Sequence, residues 1–256
     1  MSTPRERLIT EEDELSVTTK ETSNHESDSR ENGNHESDRL DSSNESDVED
    51  KQLLDEIALR QSIMMSDEQL IEWIKSRRTI GNLQEPAPTH EQIRAAIDCA
   101  VTAPDHKKLR PWRFIISEGE ARQQLGQALL EAAEAQAARA GETLSDKTRK
   151  KTANLPMRAP VIITVVTKIQ EHKKVPPFEQ MLSAGSAVQN LLLALMAQGF
   201  GSVWRTGLLC NEPAVKDYFD VAADDYVVAF IYTGTSPKPK PRRKPMDIEP
   251  LLRFES

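Results

Sequence analysis

Residues 178–207 read FEQMLSAGSAVQNLLLALMAQGFGSVWRTG. Small residues, Ser183, Ala184, Gly185, Ser186 and Ala187, lead into an apolar run from Leu191 to Ala197. The run stops at Gly199-Phe200-Gly201. We read one long buried helix, capped by Gly199 in a left-handed conformation and followed by a sharp turn at Gly201. The small residues leave room for another backbone or a flat ligand. Trp204-Arg205-Thr206-Gly207 after the turn is short, partly apolar and carries one cation. The plain reading is core packing and a tight turn. Whether the turn also holds a ligand depends on the rest of the chain.

The 256 residues suffice for one large domain or two small ones. Charge divides them unevenly. Residues 1–64 carry 18 acidic and 7 basic residues, and residues 65–256 carry 23 and 26, so the overall −8 comes from the front segment. The remainder is mildly basic, with no dense Lys/Arg run interleaved with aromatics, which argues against nucleic acid. Cys99 and Cys210 stand apart and form no metal-ligand spacing, a usage that suits a reducing cytosol. No apolar core follows Met1, and no uninterrupted apolar run approaches the ~20 residues of a membrane span. These features give the expectation of a cytoplasmic protein with no membrane partner.

Residues 1 to about 50 are rich in Glu, Asp, Ser and Asn and repeat the pattern Asn24-His25-Glu26-Ser27-Asp28, Asn34-His35-Glu36-Ser37-Asp38, Asn44-Glu45-Ser46-Asp47. Such a composition cannot bury enough apolar surface to fold, so residues 1–64 are expected to be a disordered acidic extension. Met64-Met65 directly precedes a helix N-cap at Ser66, which offers an alternative start of translation. A domain is expected over residues 65–256. Lys51 to Ile63 has weak helical periodicity, and the helix after Ser66 is stronger, ending in Arg77-Arg78-Thr79. Two arginines at a helix end complement its dipole; they also match an anion. A helix capped by Thr89 runs to Ala103-Pro104 and is followed by the polar loop Asp105 to Pro111. Strands are expected at Trp112–Ser117, Val161–Thr167 (buried on both faces) and Tyr226–Thr233. Helices are expected at 120–140, 145–153 and 212–219. Residues 236–250 have no period and read as extended. Helices outnumber strands without regular βαβ spacing, so the class is α+β.

Most enzyme signatures are missing. Gly199-Phe200-Gly201 has Trp204 where a dinucleotide fingerprint needs its third glycine. There is no Walker loop, no H-E-x-x-H and no G-x-S-x-G, and the five histidines show no metal spacing. What remains is a set of arginines, Arg77, Arg78, Arg205, Arg242 and Arg243, which could converge on a phosphate and a planar anion.

The order of the short motifs resembles the nitroreductase family, especially its compact bacterial members. The matching pieces are Arg77-Arg78-Thr79; Ala103-Pro104-Asp105-His106 with Pro111-Trp112; Arg158-Ala159-Pro160; Ala184-Gly185; Gly199-Phe200-Gly201 with Trp204-Arg205-Thr206-Gly207; and Tyr232-Thr233-Gly234. The resemblance spans residues 66–254. It implies an α-β-α sandwich with a mainly antiparallel central sheet, a long buried central helix, and a homodimer holding flavin mononucleotide (FMN) at its interface. It further implies that Arg77, Arg78 and Thr79 hold the phosphate and ring edge, and that Thr102 and His106 reach the cofactor from the second subunit. Trp204, Arg205 and Thr206 would line the flavin, with Arg205, Arg242 or Arg243 at the phosphate. Ala194, Leu195, Met196, Ala197, Gln198 and Gly199 would border NAD(P)H. The cofactor carries the chemistry, so no side chain is expected to be catalytic and no metal is required. The implied activity is hydride transfer from NAD(P)H to nitroaromatics, quinones or related small electron-poor acceptors. A flavin-dependent enone reductase and a non-catalytic flavin-binding adaptor with an acidic partner-binding tail stay open. One departure stands out. Many members carry an Asn and a Gln between the Ala-Pro and Pro-Trp pairs, where this chain has Lys107 to Arg110.

Overall fold

The structure, a computed structural model, describes residues 65–238, 240–241 and 243–255. The acidic segment, the weak periodicity of 51–63 and Arg242 lie outside the described residues.

Helix α1 (Asp67–Ser76) and helix α2 (His90–Ala100) both begin with reciprocal capping boxes, Ser66 with Gln69 and Thr89 with Gln92. Each satisfies N–H groups that a helix start would otherwise leave bare. Strand β1 (Trp112–Ser117) precedes α3 (Glu120–Arg139) and α4 (Asp146–Ala153), the latter capped by Ser145. Strand β2 (Val161–Thr167), α5 (Pro177–Ala197), β3 (Gly201–Arg205), α6 (Pro213–Tyr218) and β4 (Tyr226–Gly234) complete the order.

The sheet order is β1-β2-β4-β3, and every pairing is antiparallel. Alternation along β2 and β4 sorts side chains onto two cores. Ile162, Val166, Phe230 and Tyr232 pack with Leu125 and Leu129 of α3 and Val215 of α6. Val161, Ile163, Val165, Ala229 and Ile231 pack with Ile93 and Ala96 of α2 and Val188, Leu191 and Leu195 of α5. Every residue of β2 is buried, as its β-branched run predicts. The expected α+β sandwich is therefore present. By length and hydropathy α5 could cross a bilayer, but Ala187, Val188, Leu191, Leu192 and Leu195 face this core instead.

Two differences from the sequence reading are informative. Residues 201–205, read as a turn and a short tail, form an edge strand, because Gly201 to Arg205 pair with Gly234 to Phe230. Gly201 is needed there: a Cβ would lie 2.9 Å from Leu83 Cδ2. The second concerns α5, which is not buried throughout. Phe178 and Leu182 in its first turns are 63% and 64% exposed, whereas one face is buried from Gln180 onward. Gly199 does take the left-handed conformation, at φ 85°, directly after the helix.

A bulge interrupts the pairing of β2 with β4: Val165 faces Ala229 whereas Val166 faces Val227. Val228 is the extra residue, and its carbonyl accepts the Trp204 indole N–H at 3.1 Å. Bulges commonly redirect a strand beside a functional cleft.

Candidate functional site

Two neighbourhoods contain most of the candidate residues. The first lies where the segment after α1 runs beside β3. Ile80 N–H donates to the Ser202 carbonyl at 2.9 Å, and Gln84 pairs both ways with Thr235. This stitching sets Arg77, Arg78 and Thr79 near the end of β3. Arg78 Nη1 donates to the Pro241 carbonyl, which brings the C-terminal tail alongside. Burial, then the charges of Arg243 and Arg78, lower the proton affinity of Arg77. Three guanidiniums thus gather here, and among the described residues none of them pairs with a carboxylate.

Arg205 belongs to the same neighbourhood. Its guanidinium lies over the Tyr232 ring, 5.4 Å from the centroid, a favourable position for a cation on a π-face. Its Nη2 lies 3.7 Å from where a Cβ on Gly81 would stand. Its Nε is buried and has no hydrogen-bond partner among the described residues. A buried charged donor left unsatisfied is costly, and an anionic or carbonyl acceptor from a ligand would offset that cost.

The second neighbourhood is an open cleft of about 640 Å³ above the first turns of α5. Trp204 and Thr206 line it with Met181, Gly185, Tyr226 and Val228. The Trp204 indole packs over Gly185: a Cβ there would stand at ordinary van der Waals distance, 3.9 Å, from Cη2. Asn211 fixes the far wall: its side chain accepts from Val227 N at 2.8 Å and donates to Val227 O at 3.2 Å.

A smaller cleft of about 200 Å³ adjoins it, sharing Leu182 and Ser186. His106 and Asp105 stand on its rim, and His106 Nδ1 lies 3.4 Å from Glu179 of α5. Thr102 is held nearer the middle of α5, receiving Asn190 Nδ2 at 3.3 Å and donating to Cys99 O at 2.8 Å. Within one protomer, no hydrogen bond or ion pair links Thr102 or His106 to the arginine neighbourhood among the described residues. Residues 194–199 lie at the opposite end of α5 from both clefts. Leu195 there is fully buried, so its side chain has no surface to give a ligand. Gln198 is engaged with the Gln92 carbonyl at 3.1 Å.

Sequence reasoning named Tyr232 only as part of the Tyr232-Thr233-Gly234 motif, without a role, and did not single out Asn211 or Gly81. Pairing across β3 and β4 makes Tyr232 the floor under Arg205.

The profile described as "Nitroreductase family" matches residues 74–235, which include Arg77, Arg78, Arg205 and the cleft around Trp204 but not the tail with Arg243. This chain belongs to the nitroreductase family. It is 44% identical over 165 residues to the "Putative NAD(P)H nitroreductase YdjA" of Escherichia coli K12, covering 64% of this chain and 87% of that protein. The crystal structure of the nitroreductase-like family protein from Bacillus cereus superposes with a TM-score of 0.63 at 20% identity, over 75% of this chain and 98% of that one. The FMN-dependent nitroreductase NfnB from Mycobacterium smegmatis, solved in complex with NADPH, gives 0.57 at 19% identity over 73% and 98%. This nitroreductase family member thus shares the fold of those two solved proteins and substantial sequence with the Escherichia coli relative.

Proposed function

We propose that this chain is an FMN-dependent oxidoreductase that passes hydride from NAD(P)H to nitroaromatics, quinones or related electron-poor acceptors, working as a cytosolic homodimer. One observation carries the reading: among the described residues, Arg77, Arg78 and Arg243 converge without a carboxylate partner, beside the buried Nε of Arg205 that finds no acceptor there. That donor set fits FMN, whose phosphate needs clustered cations and whose ring edge offers carbonyl and nitrogen acceptors. Bound FMN would supply reversible two-electron hydride chemistry.

The side chains hold and orient. In this reading Arg77, Arg78 and Thr79 anchor the phosphate, with Arg243 or Arg242 from the tail. Arg205, fixed over Tyr232, presents a permanent positive charge where negative charge would develop, which favours reduction. Trp204 and Thr206 shape the cleft in which a flat acceptor is stacked, and positioning supplies most of the rate. No side chain needs to move a proton during hydride transfer. Donor and acceptor use one cleft in turn, a ping-pong order.

The dimer has support in the apolar surface one protomer leaves uncovered. Leu70, Ile71 and Ile74 of α1 and Met246, Leu251 and Phe254 of the tail are exposed. A second copy would cover such surface, and would let Thr102, His106 and residues 194–199 serve the partner's site. The functional domain in this reading is 65–256, with the acidic segment outside it.

The test is a visible spectrum of purified protein before and after anaerobic NADPH or NADH. Flavin bands that bleach support the reading. Bands that persist with both donors indicate binding without turnover, and failure to take up added FMN overturns the assignment.

A further inference from the structure

The loop between α2 and β1 has an unusual backbone. Lys107, Lys108 and Arg110 have φ of 64°, 54° and 50°, three non-glycine residues in the left-handed region within four positions. Each such residue costs on the order of 1 kcal/mol. The surroundings enforce it. The Asp105 carboxylate accepts Leu109 N–H at 3.1 Å and Arg110 N–H at 2.7 Å. Gln170 Nε2 donates to the Leu109 carbonyl at 2.6 Å, and Lys168 N–H donates to Pro111 O at 3.0 Å. Asp105 therefore spends both oxygens on backbone, and Glu179 is occupied by His106.

Three exposed cations result, none of which pairs with a carboxylate among the described residues. They follow directly after Asp105 and His106, which rim the smaller cleft, and that cleft opens into the larger one past Leu182 and Ser186. Val175, which also lines the smaller cleft, follows two more lysines in the chain, Lys173 and Lys174. A ligand that extends from the large cleft along α5 as far as Asp105 and His106 would reach the start of the loop that carries the three cations.

Building on the function proposed above, we propose that the Lys107–Arg110 loop is a specificity element that binds an oxyanion, a carboxylate or phosphate, carried by the hydride donor or the acceptor. The charge also raises the encounter rate with such ligands, an effect that falls with ionic strength.

The test compares wild type with K107Q/K108Q/R110Q, and with K107R/K108R/R110K, which keeps all three charges on the same backbone. Calorimetry on purified protein measures 4-nitrobenzoate against 4-nitrobenzamide and 2′,5′-ADP against 5′-AMP. Wild type should favour the added oxyanion in at least one pair. The glutamine variant should lose about five- to tenfold of that preference, the sum of three exposed charge contacts, and the charge-retaining variant should keep it. Loss in the nitrobenzoate pair places the oxyanion on the acceptor; loss in the 2′-phosphate pair places it on the donor. No preference in wild type, or an equal preference in the glutamine variant, overturns the proposal. These binding readouts need no turnover, so their failure is distinguishable from a failure of NAD(P)H to bleach a bound flavin.

Discussion

The Arg205 guanidinium rests 5.4 Å from the centroid of the Tyr232 ring, and its buried Nε donates to nothing among the described residues. Residues 205 and 232 are far apart in sequence, and antiparallel pairing of β3 with β4 brings them together. The ring supports the cation from one side and leaves its N–H groups to serve a ligand.

Removing that cation should therefore weaken cofactor retention. We expect Arg205→Ala to cost about 1.5–3 kcal/mol in FMN binding, the range for a hydrogen bond to a charged group. That corresponds to roughly a 10- to 150-fold rise in Kd, read by flavin fluorescence titration. Arg205→Lys should recover only part of the loss, since an ammonium lacks the planar fork. Unchanged occupancy in the alanine variant removes Arg205 from the list of anchors.

The arginines after α1 make a sharper distinction. If Arg77 and Arg78 serve the phosphate, Arg77→Gln and Arg78→Gln should each weaken FMN about tenfold while leaving riboflavin affinity unaltered. Added salt should reproduce the trend for FMN in wild type. Equal weakening of both flavins would instead mean that the substitutions disturb the fold.

Gly126 tests packing against helix propensity. It lies in α3, where alanine would ordinarily stabilise by up to about 1 kcal/mol. Here a Cβ would overlap the Ala153 carbonyl oxygen at the end of α4. Backbone cannot step aside cheaply, so Gly126→Ala should destabilise by about 1–3 kcal/mol. In a domain of this size the thermal midpoint should fall by at least about 2 °C. A rise in Tm would show that α4 yields.

The two cysteines should differ in reactivity. Cys99 is exposed, whereas burial pushes the Cys210 thiol up to about 11. At pH 8 only about one Cys210 in a thousand would be thiolate. A maleimide should modify one thiol quickly and the second only on unfolding. Because the folded state holds the Cys210 proton more tightly than the unfolded one, its contribution to stability is complete below about pH 9. It is lost as pH rises towards 11. A Cys210→Ala variant should flatten that alkaline loss; an equally steep loss would trace it to other groups.

Much of this protein could be read locally. Ser66 and Thr89 announced their helices because a cap is a contact three residues long. The β-branched run of β2 marked a strand buried on both faces, since apolar side chains on alternate faces need cover on each, and the apolar run Tyr226–Thr233 marked another strand. The small-residue motif and the paired arginines pointed to the two neighbourhoods on which the proposed function rests.

Long-range pairing decided the rest. GSVWR contains a glycine, a serine and an arginine, and became a strand only because β4 offered a free edge. Its register set Arg205 over Tyr232, and the bulge at Val228 gave the Trp204 indole its acceptor. Phe178 and Leu182 in the first turns of α5 are apolar and yet stay exposed, while Gln180 between them is buried. Local sequence determines which hydrogen bonds a segment can make with itself. Which groups are left unpaired and aimed at a ligand depends on neighbours distant in the chain, and only the assembled sheet supplies those.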